Sequence, residues 1–330
     1  ATLLTDQFRR ISTQLSVLGN DLDQELGMTA TRINDLTKQI AVLNKGIVSV
    51  KKSPQDVAGD LDDERDRLVD ELATLLDVTL NEQTDGTFTI TGSSGDGVLL
   101  VDRDRSFDLE TRLIMQSGSA STQVVQAHDG RVVHFKTGKL SGILEARDEN
   151  LSKFSSELDT LASTFATRFN AQHSSGFGLD RSSGNFFFEP SSTSAAKIEV
   201  ASGVLDNLDK IAASSASQAN PNQSAGPGDG GNALLLSDVR LEKLYGGGTQ
   251  TVEEFYADLV GELGAEARDI FTAADSQRIV QAQVDMRREN LRGVSINEEA
   301  SQLILFQRAY QAAARIVTVV DDMMQAVINM

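Results

Sequence analysis

Apolar side chains recur at alternating steps of three and four residues near both ends of this 330-residue chain. The first series runs from Leu4 to Val50. The second series, near the carboxyl end, consists of Leu303, Phe306, Tyr310, Ala313, Val317, Val320, Met324 and Val327. This spacing places each series on one stripe of a long α-helix and is typical of coiled coils. Any fold of this chain must therefore cover two long apolar helix faces.

The period of the pattern changes between the two ends. Pro54 ends the first helix, and a second helix is predicted from about Asp60 to Asp77. From Val78 onward, short runs of alternating apolar and polar residues are separated by Asp-Gly turns, which predicts antiparallel strands, the last over residues 131–138. Helical spacing then returns. The predicted fold class is α+β, a long coiled-coil-like helical bundle with an inserted small antiparallel β domain.

The remaining boundaries follow from capping signals and composition. Thr251 with Glu254, and Ser295 with Glu298, have the spacing of capping boxes, which open helices. The run rich in Ser, Gly and Pro over residues 214–232 predicts a surface loop. We therefore predict six segments: helical residues 1–77, an inserted β domain over 78–138, helical residues 139–175, a mixed loop and hairpin region over 176–248, helical residues 249–292, and a C-terminal heptad helix over 293–330.

Charge and composition exclude several function classes. The chain has 30 Lys and Arg against 48 Asp and Glu, and its net charge of -18 repels nucleic acid and anionic membrane surfaces. It has 0 Cys, which excludes disulfides and thiolate chemistry. Its apolar runs fall short of the roughly 20 residues that span a bilayer, and its first residues lack the features of a secretory signal. We expect neither nucleic acid nor a membrane as a partner.

The signals for catalysis, nucleotides or metals are weak. Gly92, Gly95 and Gly97 resemble a phosphate-binding loop, but no Lys-Ser/Thr pair follows them. The acidic run over residues 60–66 lacks the turn glycine of an EF-hand loop, which favours a solvated helix start. Ordinary surface or core positions are expected for the three histidines, His128, His134 and His173. We therefore predict no enzymatic activity, no cofactor and no metal site.

The apolar stripe of the last helix is too large to remain in water. Burying one large apolar side chain stabilises a structure by roughly 1.5–3 kcal/mol, so the stripe offers on the order of 10 kcal/mol to whatever covers it. For the helix that begins at Thr251, packing within the chain and packing on a partner both stay open. The helix after Ser295 has no matching helix left in this chain. We expect another polypeptide to cover it, which is the behaviour of a structural assembly subunit.

Several segments resemble one family of bacterial proteins. GVSINEE followed by FQRAYQA is similar to the C-terminal signature of flagellar axial proteins. The likeness narrows to the hook-associated proteins of the hook–filament junction through three further segments, in this order: GDLDDERDRLVDELATLLDVTL, TGKLSGILEARDENLSKFSSELDTLASTFATRFNAQHSSGFGLD and GNALLLSDV. It spans nearly the whole chain and is weakest over the β insertion and the Ser-rich loop.

The resemblance implies a structural axial subunit of the bacterial flagellum that joins hook to filament. Such a subunit is extracellular after export through the flagellar channel, and its terminal helices pair into an inner tube. The implied partners are copies of itself, the hook subunit, other hook-associated proteins and a cytosolic export chaperone on the C-terminal helix. The implied assembly and chaperone-binding residues are the eight of the stripe from Leu303 to Val327.

The sequence also supports two expectations about the ends of the chain and leaves two alternative functions open. The chain starts with Ala1 inside a helical pattern and lacks the N-terminal segment of the family, so we expect it to begin inside a longer protein. We also expect its last helix to lack its natural partner. The alternative functions are an adhesin or host-recognition module that uses the β domain on a helical stalk, and an enzyme hosted in that domain. The short β segment, poor in aromatic residues, favours neither.

Overall fold

The structure, a computed structural model, describes residues 1–51, 59–92, 97–116, 119–292 and 300–315. The α-helices within these ranges are α1 (Thr2–Lys51), α2 (Gly59–Leu75), α3 (Lys139–Glu145), α4 (Ser152–Ser174), α5 (Ser202–Asp206), α6 (Gly231–Asp238) and α7 (Val252–Arg292). A π-helical turn, Ala146–Leu151, joins α3 to α4. Residues 300–315 are also helical and are called the C-terminal helix. The predicted capping pair Ser295 and Glu298 lies outside the described residues.

The strands form two antiparallel groups, as the alternating pattern predicts. They are β1 (Val78–Glu82), β2 (Phe88–Gly92), β3 (Leu99–Asp102), β4 (Arg105–Ser106), β5 (Leu109–Gln116) and β6 (Ser119–Gln126). The first four make one sheet in the order β1-β2-β3-β4, and β5 pairs with β6 as a two-stranded hairpin.

The prediction of a strand over residues 131–138 is wrong. Val132 makes one isolated bridge, to Val125, and the described residues show no ladder beyond it. The alternation itself is real, because Val133 and Phe135 are buried whereas His134 is exposed. The start of the segment pairs with β6, because the Val133 N–H donates to the Val124 carbonyl and the Gln126 N–H donates to the Arg131 carbonyl, both at 2.9 Å. Beyond Val133 the described residues show no further pairing, and the segment follows core 1 in an extended form.

The inserted strands share their hydrophobic core with the helices instead of packing on themselves. Ile33 and Ile40 of α1, Leu72 of α2, Ile90 of β2 and Val101 of β3 belong to one cluster, and all five are fully buried. We call this cluster core 1. The inner face of the sheet therefore covers the second half of the α1 stripe, and burial of those side chains stabilises helix and sheet together.

Asparagine side chains fix irregular backbone onto helix surfaces. Asn44, fully buried on α1, donates through Nδ2 to the carbonyl oxygens of Phe88 and Arg103, at 2.9 and 2.7 Å. Its Oδ1 accepts from the Phe88 N–H at 3.2 Å. Asn34 on α1 and Asn170 on α4 make paired bonds of the same kind with other backbone segments. These amides satisfy buried backbone groups where the strand ladders end.

The mixed region after α4 forms a second cluster, called core 2. Leu158 and Ala162 of α4 pack there with Phe188 and Ile198. The hairpin predicted around residues 186–200 is reduced to a single bridge between Phe188 and Val200. Because most of this region has no regular ladder, side chains instead of strand pairing hold it on α4.

The Ser-rich run over residues 214–232 is a surface loop, as predicted. The Asp229 carboxylate organises it by accepting from the N–H groups of Ser215 and Gly231, at 2.5 and 3.3 Å. These bonds hold the pKa of Asp229 below its usual value, with the Ser215 amide as the largest cause.

The chain divides into two compact units, Ala1–Leu259 and Val260–Met330. Both cores lie in the first unit. The second unit contains the rest of α7 and the C-terminal helix. Within the described residues, helices are either too short or too polar to cross a lipid bilayer.

Candidate assembly surface

The C-terminal helix presents its predicted stripe to solvent. Leu303, Phe306 and Tyr310 are 65%, 69% and 79% exposed, and Ala313 is exposed as well. The four remaining members of the predicted set lie outside the described residues: Val317, Val320, Met324 and Val327. Half of the stripe is therefore placed on one helix, without a covering surface from the described residues.

The exposed apolar surface of this helix is wider than the predicted stripe. Ile304 and Leu305 follow Leu303 directly and are also more than half exposed. A helix that is apolar around its circumference is buried in its working state. The run of four large apolar residues, 303–306, is the sequence signal for this width, and steps of three and four alone do not reveal it.

The helix α7 begins with the predicted capping box. The Thr251 N–H donates to Glu254 Oε2 at 2.8 Å, and the Glu254 N–H donates to Thr251 Oγ1 at 3.2 Å. The first bond is the largest cause of the lowered pKa of the Glu254 carboxyl. Reciprocal caps satisfy amides that would otherwise lack partners at a helix start.

Beyond its cap, α7 carries large apolar side chains that the described residues leave uncovered. Those exposed by half or more include Tyr256, Val260, Leu263, Ile270, Phe271, Ile279 and Val280. The sequence left open whether this stripe packs within the chain or on a partner, and in the part of the chain that the structure describes the stripe is exposed. The stripe remains available to a partner.

The first half of α1 carries a third exposed stripe. Leu4, Ile11 and Leu18, spaced by seven residues, are exposed. The neighbouring row behaves differently, because Phe8 and Leu15 are half-buried against core 2. One side of α1 thus completes the fold, while the adjacent side offers a heptad ridge to solvent.

The polar groups elsewhere are used structurally. The described residues contain no group of three His, Cys, Asp or Glu side chains arranged to hold a metal ion. His128 and His134 are exposed, whereas His173 is fully buried. A groove of about 420 Å³ in the mixed region has two charged side chains in its lining, Arg181 and Asp229, the latter already bonded to loop amides. The extended apolar surfaces are therefore the main candidates for function.

Two family descriptions match the sequence. The flagellar hook-associated protein FlgK helical domain matches residues 1–188, which include α1, the insertion and α4. The C-terminal region of the flagellar basal body rod FlgEFG proteins matches residues 292–330, which contain the whole predicted stripe of the last helix.

Individual proteins and a solved structure agree with these matches. Flagellar hook-associated protein 1 of Bacillus subtilis is 29% identical over 364 residues, covering 99% of this chain and 69% of that protein. Its namesake from Escherichia coli is 23% identical over 414 residues, covering 99% and 74%. The structure of the flagellar hook junction protein FlgK from Burkholderia pseudomallei matches with a TM-score of 0.72 and 18% identity over 88% of each chain. This likeness confirms the predicted α+β fold class.

Proposed function

The chain belongs to the family of the flagellar hook-associated protein FlgK, and we propose that it joins its neighbours through the apolar stripes of its terminal helices. It is a structural component of the flagellum, with the hook–filament junction role of its relatives. The observation that carries the assembly proposal is the exposure of Leu303, Phe306 and Tyr310 on a helix that matches the rod proteins.

The physical reason for assembly is the cost of leaving this surface wet. The side chains of residues 303–306 are all large, apolar and at least half exposed. Covering the remaining surface of each is worth roughly 1 kcal/mol or more, so a partner that covers all four gains several kcal/mol before ordering costs. A patch of this size on a soluble chain marks an interaction site.

The proposed partners after export are copies of this chain, the hook subunit and other hook-associated proteins. All of these would present helices, and the heptad spacing of Leu303, Phe306 and Tyr310 suits a helix as the covering element. We also propose residues 293–330 as a separate assembly segment, distinct from the helical residues 249–292.

The same stripe needs cover before export. We propose that a cytosolic chaperone binds the C-terminal helix over the stripe and releases it at the flagellar export channel. The support is the exposed surface itself, since an uncovered apolar helix favours aggregation. Chaperone and neighbouring subunits would then compete for one surface.

Phe306→Asp in the protein expressed in its own cells tests both roles. A buried unpaired carboxylate should weaken either contact by about a hundredfold or more. Gln311→Asp adds the same charge about 140° away around the helix, on the side of Arg308 and Arg315, and is the matched control. The measurements are capture of the chaperone from cell extracts, and release of filament subunits into the medium by cells that still form hooks.

The outcomes separate the two claims. Loss of chaperone capture together with leakage of filament subunits in Phe306→Asp, with capture kept and no leakage in Gln311→Asp, supports a shared stripe. Chaperone capture retained while filament subunits leak would limit the stripe to assembly. Normal filaments on cells that lack the gene region encoding this chain would remove the junction role altogether.

A further inference from the structure

Core 1 and core 2 contact successive stretches of α1. The helix turn between these stretches contributes no apolar side chain to either core, and we call its height along the helix the level between the cores. Phe8 and Leu15 pack against core 2, and Leu22 packs against core 1. Gly19 lies between these contacts. Glycine in a helix interior costs about 1 kcal/mol relative to alanine and leaves the backbone less constrained.

The second helical segment that runs past both cores is irregular at the same level. Leu140 and Ile143 of α3 belong to core 1, and Leu158 and Ala162 of α4 belong to core 2. The π-helical turn Ala146–Leu151 stands between them. A π turn widens the helix by one residue and is uncommon, occurring mostly where a helix has a functional role.

The two irregularities face each other. A Cβ built on Gly19 would lie 3.3 Å from Leu151 Cδ2, so the glycine of α1 is directly opposite the π turn. Each feature alone would be an ordinary exception in a long helix. Their contact places the glycine of α1 and the π turn after α3 side by side, so both helical segments are least regular at the same level.

A polar clamp fills this level instead of an apolar core. Arg147, in the π turn, donates to Asp23 of α1 at 2.7 Å and to both oxygens of Asp148 at 2.7 and 2.8 Å. The Arg147 side chain is 8% exposed, but Asp23 and Asp148 are 41% and 39% exposed. Asp148 keeps the buried guanidinium paired, so Asp23, whose carboxylate reaches water, can separate from Arg147 without leaving that charge alone.

We propose that Gly19 and the π turn Ala146–Leu151 form a bending level between the two cores, and that the Arg147–Asp23 ion pair is the latch that selects one angle. The mechanical behaviour stands on the geometry alone, and only its use rests on the proposed function. A subunit between hook and filament contacts two different assemblies, and a bend at this level lets the outer parts of the unit adjust without breaking either core.

Distances between two spin labels test the proposal in the isolated chain. The chain has 0 Cys, so Lys45→Cys and Thr167→Cys give unique labelling sites at exposed positions of α1 and α4 on either side of the level. Pulsed dipolar spectroscopy reports the width of the distance distribution. Gly19→Ala should narrow it, because alanine makes the helical state roughly fivefold more favourable at that position and its methyl group also presses on the Leu151 side chain, whose end shifts slightly to admit it. Gly27→Ala, in the part of α1 beside core 1 and with open space around its Cβ, should leave the width unchanged.

The latch has its own variant. Arg147→Met keeps an unbranched apolar stem but removes the guanidinium and its ion pairs, so it should broaden the distribution. Because Asp23 is 41% exposed, added salt should also broaden the distribution in the native chain but not in Arg147→Met. Identical widths in the native chain, Gly19→Ala and Arg147→Met, each shown by circular dichroism to be folded, would overturn the proposal. That result would leave the junction function untouched, because filament assembly is measured separately.

Discussion

Asn44→Leu tests whether polar side chains of α1 hold the sheet in register. Asn44 is fully buried and occupies the point where the β2–β3 ladder ends, beside the turn at Arg103. It supplies three hydrogen bonds to backbone groups of Phe88 and Arg103. Leucine has the same branched shape and is somewhat larger, but it can neither donate nor accept.

The expected loss follows from those three backbone groups. Each would lose its partner in a mostly buried position, at about 1–2 kcal/mol because some water can enter beside the half-buried Phe88. Leucine regains about 1–2 kcal/mol through its larger apolar surface. The free energy of unfolding should therefore fall by roughly 2–4 kcal/mol, a large share of the stability of a domain.

Urea unfolding followed by circular dichroism measures this loss, and amide hydrogen exchange locates it. Protection should fall first at residues 88–92 and 99–103, which Asn44 anchors to α1. Asn81→Leu, on the exposed edge strand β1, is the matched control and should change stability by less than about 0.5 kcal/mol. A loss below about 1 kcal/mol in Asn44→Leu would show that the sheet keeps its register without the asparagine.

Two further predictions concern Gly138, where the inserted β segment ends and α3 begins, and His173, near the end of α4 just before the mixed region. Gly138 has φ +90°, and a Cβ there would lie 2.6 Å from Leu76 Cα. Gly138→Ala should therefore lower the free energy of unfolding by about 2–4 kcal/mol, measured in thermal melts. Gly142→Ala is the control and should cause no such loss, because its Cβ would meet open space. His173 is buried and neutral, with Nδ1 donating to the Asn185 carbonyl and Nε2 accepting from the Ala212 N–H, and burial lowers its pKa. The stability that neutral His173 contributes is complete above the unfolded pKa of about 6.5 and is lost as the pH falls towards the lower folded pKa. His173→Gln should therefore flatten the pH dependence of the free energy of unfolding below about pH 6.5. An unchanged slope would contradict this explanation.

Features that depend on local spacing could be predicted from the sequence. The cap at Thr251 and Glu254 is one example, because both of its bonds join residues three apart. The strand alternation from Val78 is another, since side chains of a strand point to opposite faces whatever lies beside it. The apolar stripe of the C-terminal helix also follows from local spacing, and it is the candidate assembly site.

Features that depend on distant partners could not be predicted. The acidic run over residues 60–66 indicates a solvated helix start, yet Arg65 within it is buried. Its guanidinium lies 3.6 Å from the centre of the Phe88 ring and donates to the Gly86 carbonyl at 2.7 Å. Both partners belong to the β1–β2 turn and the strand after it, and only the folded insertion brings them to α2. The same limit applies to Asn44, whose residue type alone indicates a turn or a helix end.

The α1 helix shows why a periodic pattern predicts burial but does not identify the covering surface. Its steps of three and four run from Leu4 to Ile47, with a stutter of two four-residue steps at Leu18, Leu22 and Leu26, and the stretches on either side of the stutter look alike. In the structure the part from Leu26 to Ile47 is covered by the sheet, whereas Leu4, Ile11 and Leu18 stay exposed. The difference comes from α2 and the insertion, which cover only the second half. On the first half of α1 and on the C-terminal helix the described residues supply no such cover for these side chains, and we expect the subunit to reach its full stability only when neighbours cover them.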